Sequence, residues 1–264
     1  MTDHLQERIE DGVAVVTMNR PDSLNAMSDE MMEAMAESFS RLSEDDDVGC
    51  VVLTGAGRGF CAGGDVKAMA SGGDGAASSL EAKVRKLRRA MEASRLLHEM
   101  PKPTIAMVRG PAAGAGLSLA LACDMRIASE TLKMTTAFVN VAFSGDFGGS
   151  WYLTQMVGTA KARELYYTAD IVLADEALRL GLVNRVHSDD ELEEKTMALA
   201  KKFASGPRIT LAYIKRNMNA AETGTYHDQL DLEALHHSRC GMTEDHKEAT
   251  AAFVEKRAAV FKGR

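Results

Sequence analysis

Apolar and polar positions fall into alternating blocks over the first two-thirds of the chain. Residues 12–18 (GVAVVTM) form a β-branched run stopped by Asn19-Arg20-Pro21, and residues 48–54 (VGCVVLT) form a second, stopped by Gly55. Between them, Ser28 followed by Asp29 and Glu30 is a helix start: a serine oxygen can accept a free first-turn amide, and acidic residues complement the dipole. Met31, Met35, Phe39 and Leu42 then recur at helical spacing, which makes the stretch a strand–helix–strand unit. A basic helix is predicted over 80–99, ended by Pro101 and Pro103, and an apolar strand over 104–108. A Gly/Ala-rich turn leads into residues 117–122, a helix apolar on every side that belongs at the centre of the fold. Residues 123–128 and 132–136 read as further short strands. Beyond about Gly149 every periodic segment reads as helical, through 189–205, 207–221, 229–239 and 244–261. Strands first and helices last predict an α/β core over 1–200 followed by a helical region over 201–264.

Composition adds constraints to that outline. At 264 residues, 45% hydrophobic and 26% charged, the chain can bury a sizeable core without disulfides or metal. Aromatics are few, and 16 Met with many Ala carry the apolar load, so a methionine-rich core is expected. Cys50, Cys61, Cys123 and Cys240 are scattered without metal-binding spacing and read as reduced thiols of a cytoplasmic protein. The first residues, MTDHLQERIEDG, lack the pattern of a signal peptide, and no apolar run reaches the length of a membrane span. A net charge of −7 argues against nonspecific binding to nucleic acid or anionic lipid. An anionic ligand then needs a local basic site. The low-complexity stretch 72–79 (GGDGAASS) reads as a surface loop before the helix carrying Lys83, Arg85, Lys86, Arg88 and Arg89, a solvated face.

Three loops place small residues between an apolar strand and a helix: 57–69 (GRGFCAGGDVKAM), 109–124 (RGPAAGAGLSLALACD) and 137–153 (AFVNVAFSGDFGGSWYL). In the first two, missing side chains let backbone N–H groups approach a ligand, and the following helix adds free amides. Two such donors on one oxygen stabilise an enolate or tetrahedral species, an effect worth about 3–4 kcal/mol per donor in other enzymes. Neither loop has P-loop or dinucleotide-binding spacing.

The paired loops GRGFCAGGDVKAM and PTIAMVRGPAAGAGLSLALACD resemble the signature of the crotonase superfamily. The likeness runs from GVAVVTMNRP and LNAMS to TADIVLADEALRLGLVNRV and FVEKRAAVFKGR, essentially the whole chain. It implies a right-handed spiral of β-β-α turns with a helical C-terminal region that builds trimers, often paired as hexamers. It implies an acyl-CoA thioester as substrate, coenzyme A entering as part of that substrate, and no prosthetic group or metal. The oxyanion hole would use the amides of Gly64 and Ala115, the latter standing where glycine is usual. Leu24, Ala62, Asp65 and Lys67 would line the coenzyme A side, and Phe253 and Lys256 would reach a coenzyme A bound to a neighbouring subunit. Asp22 stands where a basic residue often helps hold the phosphate.

The resemblance also bears on the reaction. Hydratases of the superfamily use two glutamates, whose positions align with Ser118 and Phe138; neither can shuttle a proton between carbon and water as a carboxylate does. Asp146 is the one carboxylate of the third loop. A dry pocket of Phe138, Phe143, Phe147 and Trp151 would raise its pKa, and relatives resembling 3-enoyl-CoA to 2-enoyl-CoA isomerases place a catalytic acid in this loop. The competing reading has Asp146 capping a helix that begins near Gly149. Isomerisation through Asp146 is the expectation; the alternatives are a hydratase with atypical acid/base groups, a dehalogenase-like hydrolase, and an acyl-CoA-binding protein without turnover. The hydrolase lacks its expected histidine between Leu80 and Leu97, and Ser118 reads as a core hydroxyl. His98 is expected to cap a helix or face solvent, and His236 and His237 lack partners for a metal site.

Overall fold

The computed structural model describes residues 2–70 and 79–264, so the predicted loop at 72–78 lies outside the described residues. The chain opens with β1 (Leu5–Glu10) and β2 (Val13–Met18), then α1 (Asp29–Glu44), β3 (Cys50–Gly55) and a short α2 (Val66–Ala70). Helices α3 (Leu80–Ala90) and α4 (Glu92–Glu99) precede β4 (Thr104–Val108), β5 (Pro111–Ala113) and α5 (Ala115–Ala122). Next come β6 (Met125–Ser129), β7 (Lys133–Thr135), α6 (Gly149–Thr168), β8 (Val172–Leu173), α7 (Ala174–Arg179) and β9 (Arg185–His187). Helices α8 (Leu192–Ala204), α9 (Arg208–Ala221), α10 (Tyr226–Gly241) and α11 (Glu244–Glu255) complete the chain.

Two sheets organise these elements, in the orders β1-β2-β3-β4-β6-β9 and β5-β7-β8. The turns β4-β5-α5 and β6-β7-α6 each give one strand to each sheet and then a helix, the predicted β-β-α spiral. From β2 to β9 the larger sheet is parallel, and β2, β3 and β4 read as unbroken apolar runs because both faces are covered. Ala14, Val16, Val51, Leu53, Ala106 and Val108 pack toward α1, α4 and α5. Their neighbours Val13, Val15, Val52 and Ile105 pack on the other face against Leu192, Met197 and Ala200 of α8. The methionine-rich core is present, with Met18, Met31, Met35 and Met134 essentially inaccessible. Ser28 caps α1 as expected, its Oγ accepting from Met31 N at 3.2 Å, and all eight residues of α5 are buried.

The structure corrects the predicted outline in four places. The segment after Gly149 is not wholly helical: β8 and β9 lie within it, too short to show a periodicity. β1 (LQERIE) escapes notice because it is an edge strand with mostly solvated side chains. The basic helix 80–99 is two helices broken at Met91, and α11 stops at Glu255, where Lys256 adopts a left-handed conformation (φ 56°). Cys50, Cys61 and Cys123 are buried free thiols, while Cys240 is half-buried.

The C-terminal region is tied to the core through Lys215 of α9. Its buried Nζ donates to Leu97 O (2.8 Å) and Lys102 O (3.1 Å) and pairs with Asp124 (2.8 Å). Beyond α9 large apolar side chains point outward, including Tyr226, Met242, Phe253, Val254 and Val260. No described helix is long and apolar enough to cross a membrane.

Candidate active site

The loop after β3 and the turn before α5 are zipped together by their backbones. Phe60 N and Cys61 N donate to Pro111 O (3.0 and 3.1 Å), and Ala113 N donates to Cys61 O (2.9 Å). Glycine is required where the strands of this seam cross: a Cβ on Gly63 (φ +92°) would stand 2.8 Å from Ala113 O, and one on Gly116 2.5 Å from Cys61 O. On the other side Ala62 N donates to Leu24 O (2.9 Å) and Met27 N to Gly63 O (2.8 Å).

Asn25 anchors this layer. It is fully buried in a left-handed conformation (φ 57°), accepts from Arg20 N (2.8 Å), and donates to Ala56 O (2.9 Å) and Gly59 O (2.8 Å). Asn25→Ala leaves three backbone groups without that partner, so a loss of about 2 kcal/mol in urea unfolding is expected. A loss of only about a few tenths of a kcal/mol would show the anchor to be dispensable.

With the seam closed, the amides of Gly64 and Ala115 have no acceptor among the described residues. Ala115 is the first residue of α5, so its N–H is one of the free first-turn donors of an all-buried helix. The two loops abut here: the Cβ position of Gly63, the residue before Gly64, lies 3.5 Å from Ala115 N. Sequence-predicted donors 51 positions apart are thus brought side by side.

Asp146 arrives on a tightly wound loop in which Ala142, Gly145, Phe147 and Gly148 all have positive φ. The loop is pinned from below, Ser94 Oγ donating to Phe147 O at 2.7 Å while Phe147 is buried. Asp146 does not cap α6. The cap position is Gly148 with no side-chain hydrogen bond, and only the main-chain oxygen of Asp146 engages, accepting from Gly149 N at 3.1 Å. Its Oδ1 is buried without a hydrogen-bond partner among the described residues, and burial pushes its pKa up to about 6. Burial, with a smaller contribution from the Asp146 charge, pushes the Cys61 thiol up to about 12.

The pocket walls differ in part from the expectation. Phe138 is buried beside the Gly114 turn, where a Cβ would stand 3.7 Å from its ring, and it stacks on Tyr166 (6.0 Å, 6° between planes). Phe143 is 58% exposed and does not wall a dry pocket. Trp151 packs toward His98 and Tyr152 and lines, with Gly148 of the loop and Glu222, a cavity of about 410 Å³. His98 accordingly neither caps nor faces solvent: its ring sits against Trp151 and Tyr152, and Nε2 lies 3.2 Å from Glu222. Tyr166, absent from the sequence reading, takes the place assigned to Trp151. It reaches the site because α6 is broken at Gly158 (φ 74°, ψ 166°), and that glycine is the one sequence signal for the return of the chain.

Ser118 lies one helical turn after Ala115, its Oγ donating to Gly114 O at 3.3 Å with neither His nor Asp bonded to it among the described residues. On the expected coenzyme A side, Leu24 (φ 49°) and Ala62 are adjacent and half-buried, and Lys67 is exposed. Asp65 accepts from Ala68 N (3.0 Å) and pairs with Arg20 (3.0 Å), contacts that hold its carboxyl below the usual range. Asp65 therefore braces α2. Phe253 (86% exposed) and Lys256 project from the far C-terminal region. His236 is buried against Tyr213 and Asn217, and no cluster of three or more metal-binding side chains occurs among the described residues.

Comparison with known proteins gives a consistent picture. The family profile described as enoyl-CoA hydratase/isomerase matches residues 8–264. The chain is 37% identical over 264 residues to the 1,2-epoxyphenylacetyl-CoA isomerase of Escherichia coli (strain K12), covering 100% of both chains. It is 35% identical over 246 residues to the short-chain-enoyl-CoA hydratase of Clostridium acetobutylicum, covering 93% of this chain and 92% of the relative. The crystal structure of an enoyl-CoA hydratase from Bacillus anthracis superposes with a TM-score of 0.92 at 30% identity, covering 99% of this chain and 100% of that one. A profile spanning nearly the whole chain, and relatives matched end to end on a shared fold, mean that this chain belongs to the enoyl-CoA hydratase/isomerase family of the crotonase superfamily.

Proposed function

We propose that the protein is an enoyl-CoA isomerase that moves a double bond through an enolate held by the amides of Gly64 and Ala115, with Asp146 as the single acid/base. The observation that carries this reading is the buried Oδ1 of Asp146, which has no hydrogen-bond partner among the described residues, in a structure whose Gly64 and Ala115 amides also lack acceptors there. The substrate is an acyl-CoA thioester with its carbonyl oxygen between those amides. Asp146 takes the C2 proton of a 3-enoyl thioester; the C–H electrons move into a dienolate whose negative oxygen the amides stabilise. The same carboxyl then returns the proton to C4 and the double bond comes to rest between C2 and C3. No water enters, and no prosthetic group or metal is needed. Ser118 and Phe138 offer no carboxylate for hydration, which supports isomerase over hydratase. The E. coli relative's name supports isomerase chemistry and the C. acetobutylicum relative's name supports hydration.

Incubation with 3-hexenoyl-CoA and with crotonyl-CoA, followed by the absorbance of the conjugated enoyl thioester, separates the two reactions. Isomerisation produces that absorbance from 3-hexenoyl-CoA; loss of absorbance from crotonyl-CoA alone would replace this proposal with the hydratase.

The proposal extends to assembly. Residues 201–264 serve as the association region of a homotrimer or hexamer, in which Phe253 and Lys256 complete the coenzyme A site of a neighbouring copy. The outward-facing Phe253, Val254 and Val260 support this, since side chains of that size are rarely left in water together. Sedimentation is expected to give three or six times the chain mass, and Phe253→Ser to weaken acyl-CoA binding roughly tenfold. A monomer with unchanged affinity would remove both statements.

A further inference from the structure

Oδ1 of the Asp146 carboxyl has no hydrogen-bond partner among the described residues to fix its direction, so that direction is set by the backbone that carries it. This backbone is wound through conformations that side chains avoid: Phe147, directly after Asp146, has φ 49°, and Gly145 and Gly148 stand at φ 120° and 76°. Such a loop keeps one shape only where its surroundings impose it. Within the loop, Gly149 N donates to Asp146 O at 3.1 Å. From outside the loop and α6, one hydrogen bond reaches residues 144–148 among the described residues: Ser94 Oγ donates to Phe147 O at 2.7 Å.

Ser94 is itself held still. It lies with Ala93 and Leu97 on the buried face of α4, a helix packed against α1 and α5. Its one proton goes to Phe147 O, so the Tyr152 hydroxyl 3.3 Å away donates to Ser94 Oγ, and each bond of this chain strengthens the other. Tyr152 is fixed in turn: it is buried, its ring packs on His98, and it lies against Gly148, where a Cβ would stand 3.0 Å from Cε2. Resting on the acid/base role given to Asp146 above, we propose that Ser94 is a positioning residue for double-bond migration, aiming the Asp146 carboxyl through the carbonyl of Phe147 with Tyr152 in support. Both the proton and a lone pair of the Ser94 hydroxyl are engaged inside the protein, so it acts through the loop and not on the substrate. The effect can be large, because a reacting group misplaced by about 1 Å loses up to about 10²-fold in rate with its chemistry intact.

The test is a double-variant cycle. Steady-state rates with 3-hexenoyl-CoA and calorimetric dissociation constants for butyryl-CoA are measured on the wild type, Ser94→Ala, Asp146→Asn and the two changes combined. Ser94→Ala is expected to lower kcat about 10–10²-fold, with KM and the butyryl-CoA dissociation constant changed by less than about threefold. In the Asp146→Asn background the same change is expected to cost less than about twofold, because no base is left to aim. Ser94→Cys keeps the volume and weakens the donor; its kcat should fall between wild type and Ser94→Ala, and it takes the place of Ser94→Ala in the cycle if that variant does not fold. A wild-type kcat on loss of the hydroxyl, or the same factor lost in both backgrounds, would overturn the positioning role and leave Asp146 as the base. Turnover of Asp146→Asn at the wild-type rate would overturn the acid/base reading and the positioning role with it.

Discussion

Asp146→Asn is expected to lower kcat for double-bond migration about 10³-fold while changing the thioester dissociation constant by less than about threefold. The amide is nearly isosteric but cannot take the C2 proton. Two further readouts separate a chemical role from a structural one. The wild-type rate should rise with pH through about 6, where the buried carboxyl ionises, and the residual rate of the variant should lack that limb. Stability should move the other way from activity. Burial raises the carboxyl pKa from an ordinary 3.8 to about 6, so between those values the folded chain binds more protons than the unfolded chain. The stability contribution of the group is whole below pH 3.8 and is lost as pH rises through 6. At pH 7 the wild type carries the full cost of a desolvated charge, which Asn removes. The variant should be more stable by about 2 kcal/mol in urea at pH 7 and close to wild type near pH 3. A helix cap would show the reverse, a loss of about 1 kcal/mol on removal. Retained turnover, or a variant less stable than wild type at pH 7, would take the acid/base role away from Asp146.

What the sequence disclosed follows from how strongly each position is dictated by local physics. β2, β3 and β4 were legible because strands buried on both faces must be apolar throughout, and α1 because Ser28 and the Met31, Met35, Phe39 spacing point the same way. β8 and β9 were not, since strands of two or three residues are held by neighbours rather than by their own pattern. The donors Gly64 and Ala115 were legible through their loops, yet nothing in either loop says that the other lies beside it. The family likeness supplied that pairing, and the Cys61–Ala112 seam is its physical form. The pocket wall was harder. Proximity in sequence favoured Trp151, but the first turn of α6 points that ring at His98. Tyr166, twenty positions past Asp146, returns only because the helix breaks at Gly158. Asn25 went unnoticed for a related reason: its three bonds reach Arg20, Ala56 and Gly59, partners a linear pattern does not connect.

Ala115→Pro is the counterpart on the donor side, and it is expected to lower kcat/KM about 10²–10³-fold in a protein that still folds. Proline removes one atom of consequence, the amide hydrogen that has no acceptor among the described residues. Ala115 opens α5, and the first position of a helix tolerates proline because its N–H is unpaired there in any case and its φ is already helical. The residue before a proline is normally restricted by a clash with Cβ, but here that residue is Gly114, which has none and already sits at φ 52°, ψ −125°. The backbone cost is therefore small where the chemical cost is large. Because the donor acts on charge that develops during the reaction, most of the loss should fall on kcat, with a smaller rise in KM. Equal affinity for a saturated thioester such as butyryl-CoA, combined with the full loss of turnover, would place the amide on the transition state. A variant that folds and turns over at the wild-type rate would mean that the thioester oxygen lies elsewhere, and the pairing of Gly64 with Ala115 would then be a packing feature of the seam alone.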